Sequence, residues 1–340
     1  MKIHFDPGHL GHQPKFELVP GKFIPNLEKR ERAEAVLDAL RQEGFGHMVE
    51  AKPAPRAPLL RVHDAAFLDF LESAWEEWEV KFGAESDGLA FVWPGRHLFQ
   101  IVPRTIEGKL GYYTFDGISP ITRGMWRAAT GAAGAALAAA ADIQAGARAS
   151  FAVCRPPGHH AGPDLAGGTS YINNTAVAAA DLAASGARVA IIDVDAHHGN
   201  GTQAIFWSRS DVLTISIHTD PASDYPYFSG YAGEKGAGAG DGFNLNLPLP
   251  PGAVWQLYSE ALAAAIDRIT DFSPDVLVLA LGVDAYHEDP AGQLALEIAD
   301  FATMGRRLAD LGLPTAIVLE GGYAETALRK AVLGAVSAFS

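Results

Sequence analysis

Six short runs of apolar, largely β-branched residues punctuate the chain: "KIHF" (2–5), "SFAVC" (150–154), "VAIIDVD" (189–195), "VLTISIH" (212–218), "VLVLALGVD" (276–284) and "TAIVLE" (315–320). They lack the apolar–polar alternation of half-exposed strands, so they read as strands buried on both faces. Between them lie stretches of helical character such as "NNTAVAAADLAASG" (173–186) and "WQLYSEALAAAIDRI" (255–269). Strands spaced by helices predict a parallel sheet covered on both faces. No internal repeat and no linker rich in Pro, Gly or Ser divides the chain, so residues 1–340 read as one α/β domain. The Ala-rich run 131–147 predicts a buried helix rather than a membrane span, because alanine is weakly apolar and Arg127 and Asp142 crowd it. Residues from about 80 to 122 follow neither period and hold several aromatics and glycines, which predicts a long ordered loop insertion serving as a lid or an oligomer contact. The Gly-rich "EKGAGAGDGFN" (234–244) lacks the strand before and helix after it that a phosphate loop requires, and reads as structural.

Composition narrows the classes. A hydrophobic content of 48% over 340 residues supports a globular fold with a substantial core. Cys154 is the only cysteine, which excludes an internal disulfide and any Cys-rich zinc site. The first residues, "MKIHFDPGHL", form no apolar signal segment, so a cytoplasmic protein is expected. A formal charge of −14 argues against nucleic acid or an anionic membrane as partner and mildly favours cationic ligands.

In open α/β sheets ligands bind beyond the carboxyl ends of the strands, and the residues there are unusual. After the second run come His159 and His160; after the third, Asp193, Asp195, His197 and His198; after the fourth, His218; after the fifth, Asp284; and after the sixth, "EGGY" with Tyr323. Asp195 and His197 stand two apart, so in extended chain their side chains leave on one face, and Asp284 from another strand would complete three ligands. Three O/N ligands with a position left for water describe a catalytic metal site. The His159–His160 pair beside it would supply a base and an acid, with Asp193 and Asn200 placed to hold their other ring nitrogens. Tyr323 would offer its hydroxyl to an oxyanion opposite the metal.

The segments "CRPPGHHAG" (154–162), "DVDAHHGNGTQ" (193–203), "LGVDAYHEDP" (281–290) and "LEGGY" (319–323), in this order, resemble the histone deacetylase superfamily with its arginase-like fold, and "EKRERAEAVLDAL" and "VHDAAFLDFLESAW" extend the likeness over nearly the whole chain. Within it, "KFELVPG" and "IEGKLGYY" look most like bacterial acetylpolyamine amidohydrolases. The resemblance implies an open, mostly parallel sheet of about eight strands. It implies one catalytic Zn2+ on Asp195, His197 and Asp284, with His160 as the main general base, His159 as its electrostatic or acid partner and Tyr323 as oxyanion donor. It also implies a structural K+ or Na+ held by Asp193, Ser216 and main-chain groups of Asp195 and His197. In the polyamine branch, Glu17 and Glu107 match acidic positions that meet a distal ammonium, and Tyr225 matches an aromatic channel wall. The expected substrate is a small cationic N-acetylated amine, and the long loop suggests a homodimer.

Two departures stand out. Thr169 and Ser170 occupy positions where many relatives carry an aromatic followed by Cys, which opens one face of the channel, and Asn200 stands where many deacetylases carry Asp. Alternative readings are a protein-lysine deacetylase, a binuclear manganese hydrolase of the arginase type and a non-catalytic sensor of acetylated cations. The arginase type needs more bridging carboxylates than this edge supplies, and the intact set of proton-transfer residues gives the sensor little support.

Overall fold

The computed structural model describes residues 1–339. Its core is an eight-stranded sheet in the order β4-β1-β5-β10-β9-β6-β7-β8, and every pairing in it is parallel. The strands are β1 (Lys2–Phe5), β4 (His47–Glu50), β5 (Ala149–Ala152), β6 (Val189–Asp193), β7 (Val212–Thr219), β8 (Asn244–Leu249), β9 (Val276–Leu281) and β10 (Thr315–Leu319), while β2 (Phe16–Val19) and β3 (Lys22–Pro25) form a separate hairpin. The pattern predicted six of the eight; β4 and β8 sit at the two edges, are shorter on apolar residues, and carry no such run.

Helices cover both faces. On one lie α1 (Arg30–Gln42), α8 (Trp255–Phe272), α9 (Ile298–Ala309) and α10 (Leu328–Ser337). On the other lie α2 (Arg56–Leu59), α3 (Ala65–Phe82), α4 (Ile106–Tyr113), α5 (Met125–Gln144), α6 (Asn174–Ala184) and α7 (Asn200–Phe206). The central strands explain why no polar alternation is visible: in β9, Leu277, Leu279 and Leu281 enter the first core while Val276 and Val278 enter the second. The Ala-rich run is the buried helix α5, and among the described residues no helix is long and apolar enough to cross a membrane.

The expected loop at 80–122 is only partly a loop. Helix α3 continues to Phe82, and "IEGKLGYY" forms α4, whose Ile106, Leu110 and Tyr113 are buried and lock the segment to the body. The glycine-rich 234–244 segment passes through one short 3-10 turn into β8.

Behind the strand ends, His63 ties two loops together: its Nδ1–H donates to the Gly162 carbonyl (2.8 Å) and its Nε2 accepts the Asn173 N–H (3.0 Å). The second bond requires the neutral ring, and burial lowers its pKa to about 4. An unfolded chain binds this proton near 6.5, so the stabilisation is complete above that pH and is lost as pH falls towards 4. At about 1.4 kcal/mol per pH unit, the loss attributable to His63 is on the order of 3 kcal/mol. In urea unfolding between pH 4.5 and 6.5, His63→Gln should show a shallower pH dependence of stability than wild type; identical slopes would remove His63 from the acid response.

Candidate active site

The parallel register delivers the functional groups to one edge. Asp193 closes β6, opposite Ser216 of β7 and Ala280 of β9. The chain beyond it turns because its own carboxylates accept successive N–H groups: Asp193 from Asp195 (3.1 Å) and Asp195 from His197 (3.0 Å). Asp284, three residues past β9, accepts the Ala196 N–H (2.7 Å), and Asp195 also accepts the Gly321 N–H (2.8 Å). Ligand atoms of Asp195, His197 and Asp284 thereby converge within 4.8 Å of one another.

These donors fit a cation. His197 Nε2–H donates to the Ala291 carbonyl (3.1 Å), which leaves Nδ1 facing Asp195 Oδ1 at 3.2 Å and Asp284 Oδ2 at 3.0 Å. A ring lone pair facing two carboxylates is unfavourable without a positive charge between them. Without a metal ion the site gathers protons instead: burial and the Asp195 charge push Asp284 up to about 7, and the two carboxylates outweigh burial to raise His197 well above its usual value. Gly282 and Gly321 keep the cradle open; a Cβ at Gly321 would stand 2.5 Å from Asp195 Oδ2 and 2.6 Å from Asp284 Oδ2.

The adjacent histidines have opposite surroundings. His159 Nδ1 meets Asp193 Oδ2 at 2.9 Å, and its backbone N–H, with that of Gly158, is held by the buried Glu320 carboxylate. Burial would lower its pKa, but Asp193 and Asp195 outweigh this and raise it to about 10, so the ring is cationic. His160 Nδ1 meets Asn200 Oδ1 at 2.7 Å; burial, then the charges of His159 and His197, hold it well below the usual range and keep it neutral. Only 4.0 Å separates the ring centres. His160 lines a cavity of about 340 Å3, whereas His159 lies behind it, its Nε2 at 3.8 Å from Asp195 Oδ1.

Tyr323 lines the same cavity. Its loop turns through Gly322 at φ 127°, a conformation that favours glycine. The loop is pinned by Asp289, which accepts the N–H groups of Tyr323 (2.6 Å) and Ala324 (2.8 Å), and by buried Arg32, which donates to the carbonyls of Gly322 (2.7 Å) and Glu320 (2.6 Å) with its guanidinium 4.7 Å from the Tyr323 ring centre. Glu28 in turn neutralises Arg32 (2.9 Å) and Arg155 (3.1 Å) beneath the site.

Of the residues assigned to substrate, Glu17, Thr169 and Tyr225 line the cavity. Tyr225 stands edge-on to His160, with ring centres 5.0 Å apart, and stacks on Phe115. Thr169 adopts φ 61°, a strained conformation for a β-branched residue, while Ser170 is wholly buried and does not line the cavity. Glu107 requires a correction: it projects from α4 to Lys81 (2.5 Å) and does not reach the cavity, because the helix that carries it packs against α3. Ser216 Oγ meets His218 Nδ1 at 2.7 Å and shares with Asp193 a small space of about 10 Å3. The sequence reading missed Arg32, Asp289 and the positioning role of Glu320. Each lies inside a quoted motif, but its contacts are made through other residues and leave no signal in the spacing.

Comparison with known proteins agrees with this arrangement. The histone deacetylase domain model matches residues 26–339. Acetylpolyamine amidohydrolase 1 of Pseudomonas aeruginosa is 49% identical over 95% of this chain and 94% of its own length, and the acetylpolyamine amidohydrolase of Mycoplana ramosa is 42% identical over 95% of both. Among solved structures, that of acetylpolyamine aminohydrolase from Burkholderia pseudomallei superposes with a TM-score of 0.95 at 38% identity, covering 100% of this chain and 98% of the other. The chain therefore belongs to the histone deacetylase domain family.

Proposed function

We propose that this protein is a zinc-dependent amidohydrolase that deacetylates small cationic N-acetylamines, acetylpolyamines foremost. The observation that supports it most is the buried Asp195–His197–Asp284 group at the floor of a cavity whose wall carries His160 and Tyr323. The names of the relatives point to the same substrate class.

Asp195, His197 and Asp284 would hold a divalent ion, which would supply Lewis acidity, acidifying water and polarising an amide carbonyl. The protein does the rest. His160, its Nδ1–H committed to Asn200, accepts a proton at Nε2. His159, held cationic by Asp193 behind His160, offsets developing negative charge, and His160 returns the proton it has taken to the departing amine. The Tyr323 hydroxyl donates to the oxyanion, positioned by the Asp289 and Arg32 contacts of its loop. The paired Asp193 and Ser216 would hold a K+ or Na+ that stiffens the turn carrying the ligands. Unchanged thermal stability when potassium and sodium are replaced by tetramethylammonium would argue against that ion. The exposed apolar side chains of Phe91, Leu98, Phe99 and Ile101 suit a second copy of this chain. Phe99→Asp should then halve the mass measured by light scattering, and an unchanged mass would reject this face as the interface. The protein's place is expected to be the cytoplasm, which fractionation would check.

The substrate assignment is tested by assaying metal-replete protein on N-acetylputrescine, N-acetylcadaverine, N-acetylspermidine and an acetyl-lysine peptide. The acetylated diamines should be hydrolysed with the highest kcat/KM; a clear preference for the peptide would favour a protein deacetylase. Tyr323→Phe should lower kcat by about two to three orders of magnitude with a smaller change in KM. An unaltered kcat would take Tyr323 out of the mechanism. At Thr169, one channel face lacks the ring that would cover a methylene chain. Restoring it with Thr169→Phe should bury a few tens of Å2 at roughly 25 cal/mol per Å2, about 1 kcal/mol, and tighten KM for slim acetyldiamines about fivefold while worsening it for a bulky acetyl-lysine coumarin amide. KM values that move together would show that position 169 does not select by width.

A further inference from the structure

Beyond the catalytic groups the cavity wall carries three carboxylates, Glu17, Asp116 and Asp224, and they differ in how fully they are engaged. Asp116 accepts the Gly168 N–H (2.6 Å), the Tyr225 hydroxyl (2.6 Å) and the Ile118 N–H (3.1 Å), so it works as a bracket between two walls of the channel. Glu17 accepts the Leu27 N–H at 3.0 Å. Asp224 is only 5% exposed, and its two oxygens are unlike. Oδ1 accepts the Tyr225 N–H and the Gln293 side-chain N–H, both at 2.9 Å, whereas Oδ2 is buried with no hydrogen-bond partner. The cations of the neighbouring segments are committed elsewhere: Lys15 to the Glu85 carbonyl, Lys29 to Glu325 and Arg32 to Glu28.

A carboxylate oxygen buried without donor or counter-ion is costly, and a protein keeps one where a cationic ligand completes it. The rest of the wall, with Leu18, Ile118, Tyr225 and Pro290, suits a methylene chain. We propose that Asp224 is the specificity residue that pairs with the second, non-acetylated ammonium of the substrate, an inference that rests on the amidohydrolase reading above. An aliphatic diamine acetylated at one end places an amide and an ammonium at opposite ends of such a chain. Asp224 takes over the selective role that Glu107 does not fill within this chain, and Glu17 adds a further negative charge to the same cavity.

The test compares two substrates of equal length, N-acetylcadaverine and the uncharged N-pentylacetamide, on the metal-replete wild type and Asp224→Asn. The asparagine keeps the acceptor for Tyr225 and Gln293 and removes the charge. Wild type should prefer the cationic amide at least tenfold in kcat/KM; Asp224→Asn should lose about tenfold on that substrate, mainly through KM, and stay within twofold on the neutral one. Equal losses on both substrates, or none on either, would overturn the proposal by making Asp224 a post for the Tyr225 loop or the seat of a water. If the variant does not fold, the wild-type preference decides, and equal kcat/KM on the two amides refutes a charge anchor. Failure of wild type to hydrolyse either amide would instead refute the amidohydrolase reading, and the anchor with it.

Discussion

Negative charge crowded at one buried edge is the constraint that orders this molecule. Asp193, Asp195, Asp284 and Glu320 are each no more than 2% exposed, and they come from strands that the parallel register makes neighbours. Such a group repels itself in a low-dielectric interior, so its local structure is the set of positive partners it collects. Backbone N–H groups come first: Ala196, His197, Gly158, His159 and Gly321 all donate to these carboxylates, and the resulting turns aim the side chains. What remains after those bonds is a deficit that a cation fits, between Asp195, His197 and Asp284.

The same deficit sets the division of labour between two residues of identical chemistry. His159 faces Asp193 and is held cationic; His160 faces the uncharged Asn200 and, beside a cationic neighbour, is held neutral. A cationic and a neutral imidazole thereby stand 4.0 Å apart without either having an unusual backbone. Arg32 performs the complementary task on the opposite side. It fixes the carbonyls of Glu320 and Gly322, and so the Tyr323 loop, while its own charge is neutralised by Glu28.

Much of this was legible in the sequence, and the reasons are physical. Central strands with both faces buried leave uninterrupted apolar runs, and chemistry at their carboxyl ends appears as polar residues directly after each run, which is how Asp195, His197, Asp284 and the histidine pair were found. Edge strands β4 and β8 escaped because exposure dilutes the same signal. Helix α4 escaped because its two glycines and paired tyrosines mask its period. The chemistry of the cavity wall was less legible than its floor. Glu107 and Asp224 are both acidic residues in segments near the channel, and only the packing of α4 on α3 and the use of Oδ1 by Tyr225 and Gln293 decide which of them faces it. Asp289 and Arg32 act through other residues, and sequence spacing carries no record of such contacts.

The most direct test is a stoichiometric titration of metal-free protein with Zn2+, following hydrolysis of N-acetylcadaverine and bound metal together. Activity should be absent at the start, rise linearly and saturate at one ion per chain. Turnover without metal, or saturation only at two ions per chain, would contradict a single three-ligand centre on Asp195, His197 and Asp284.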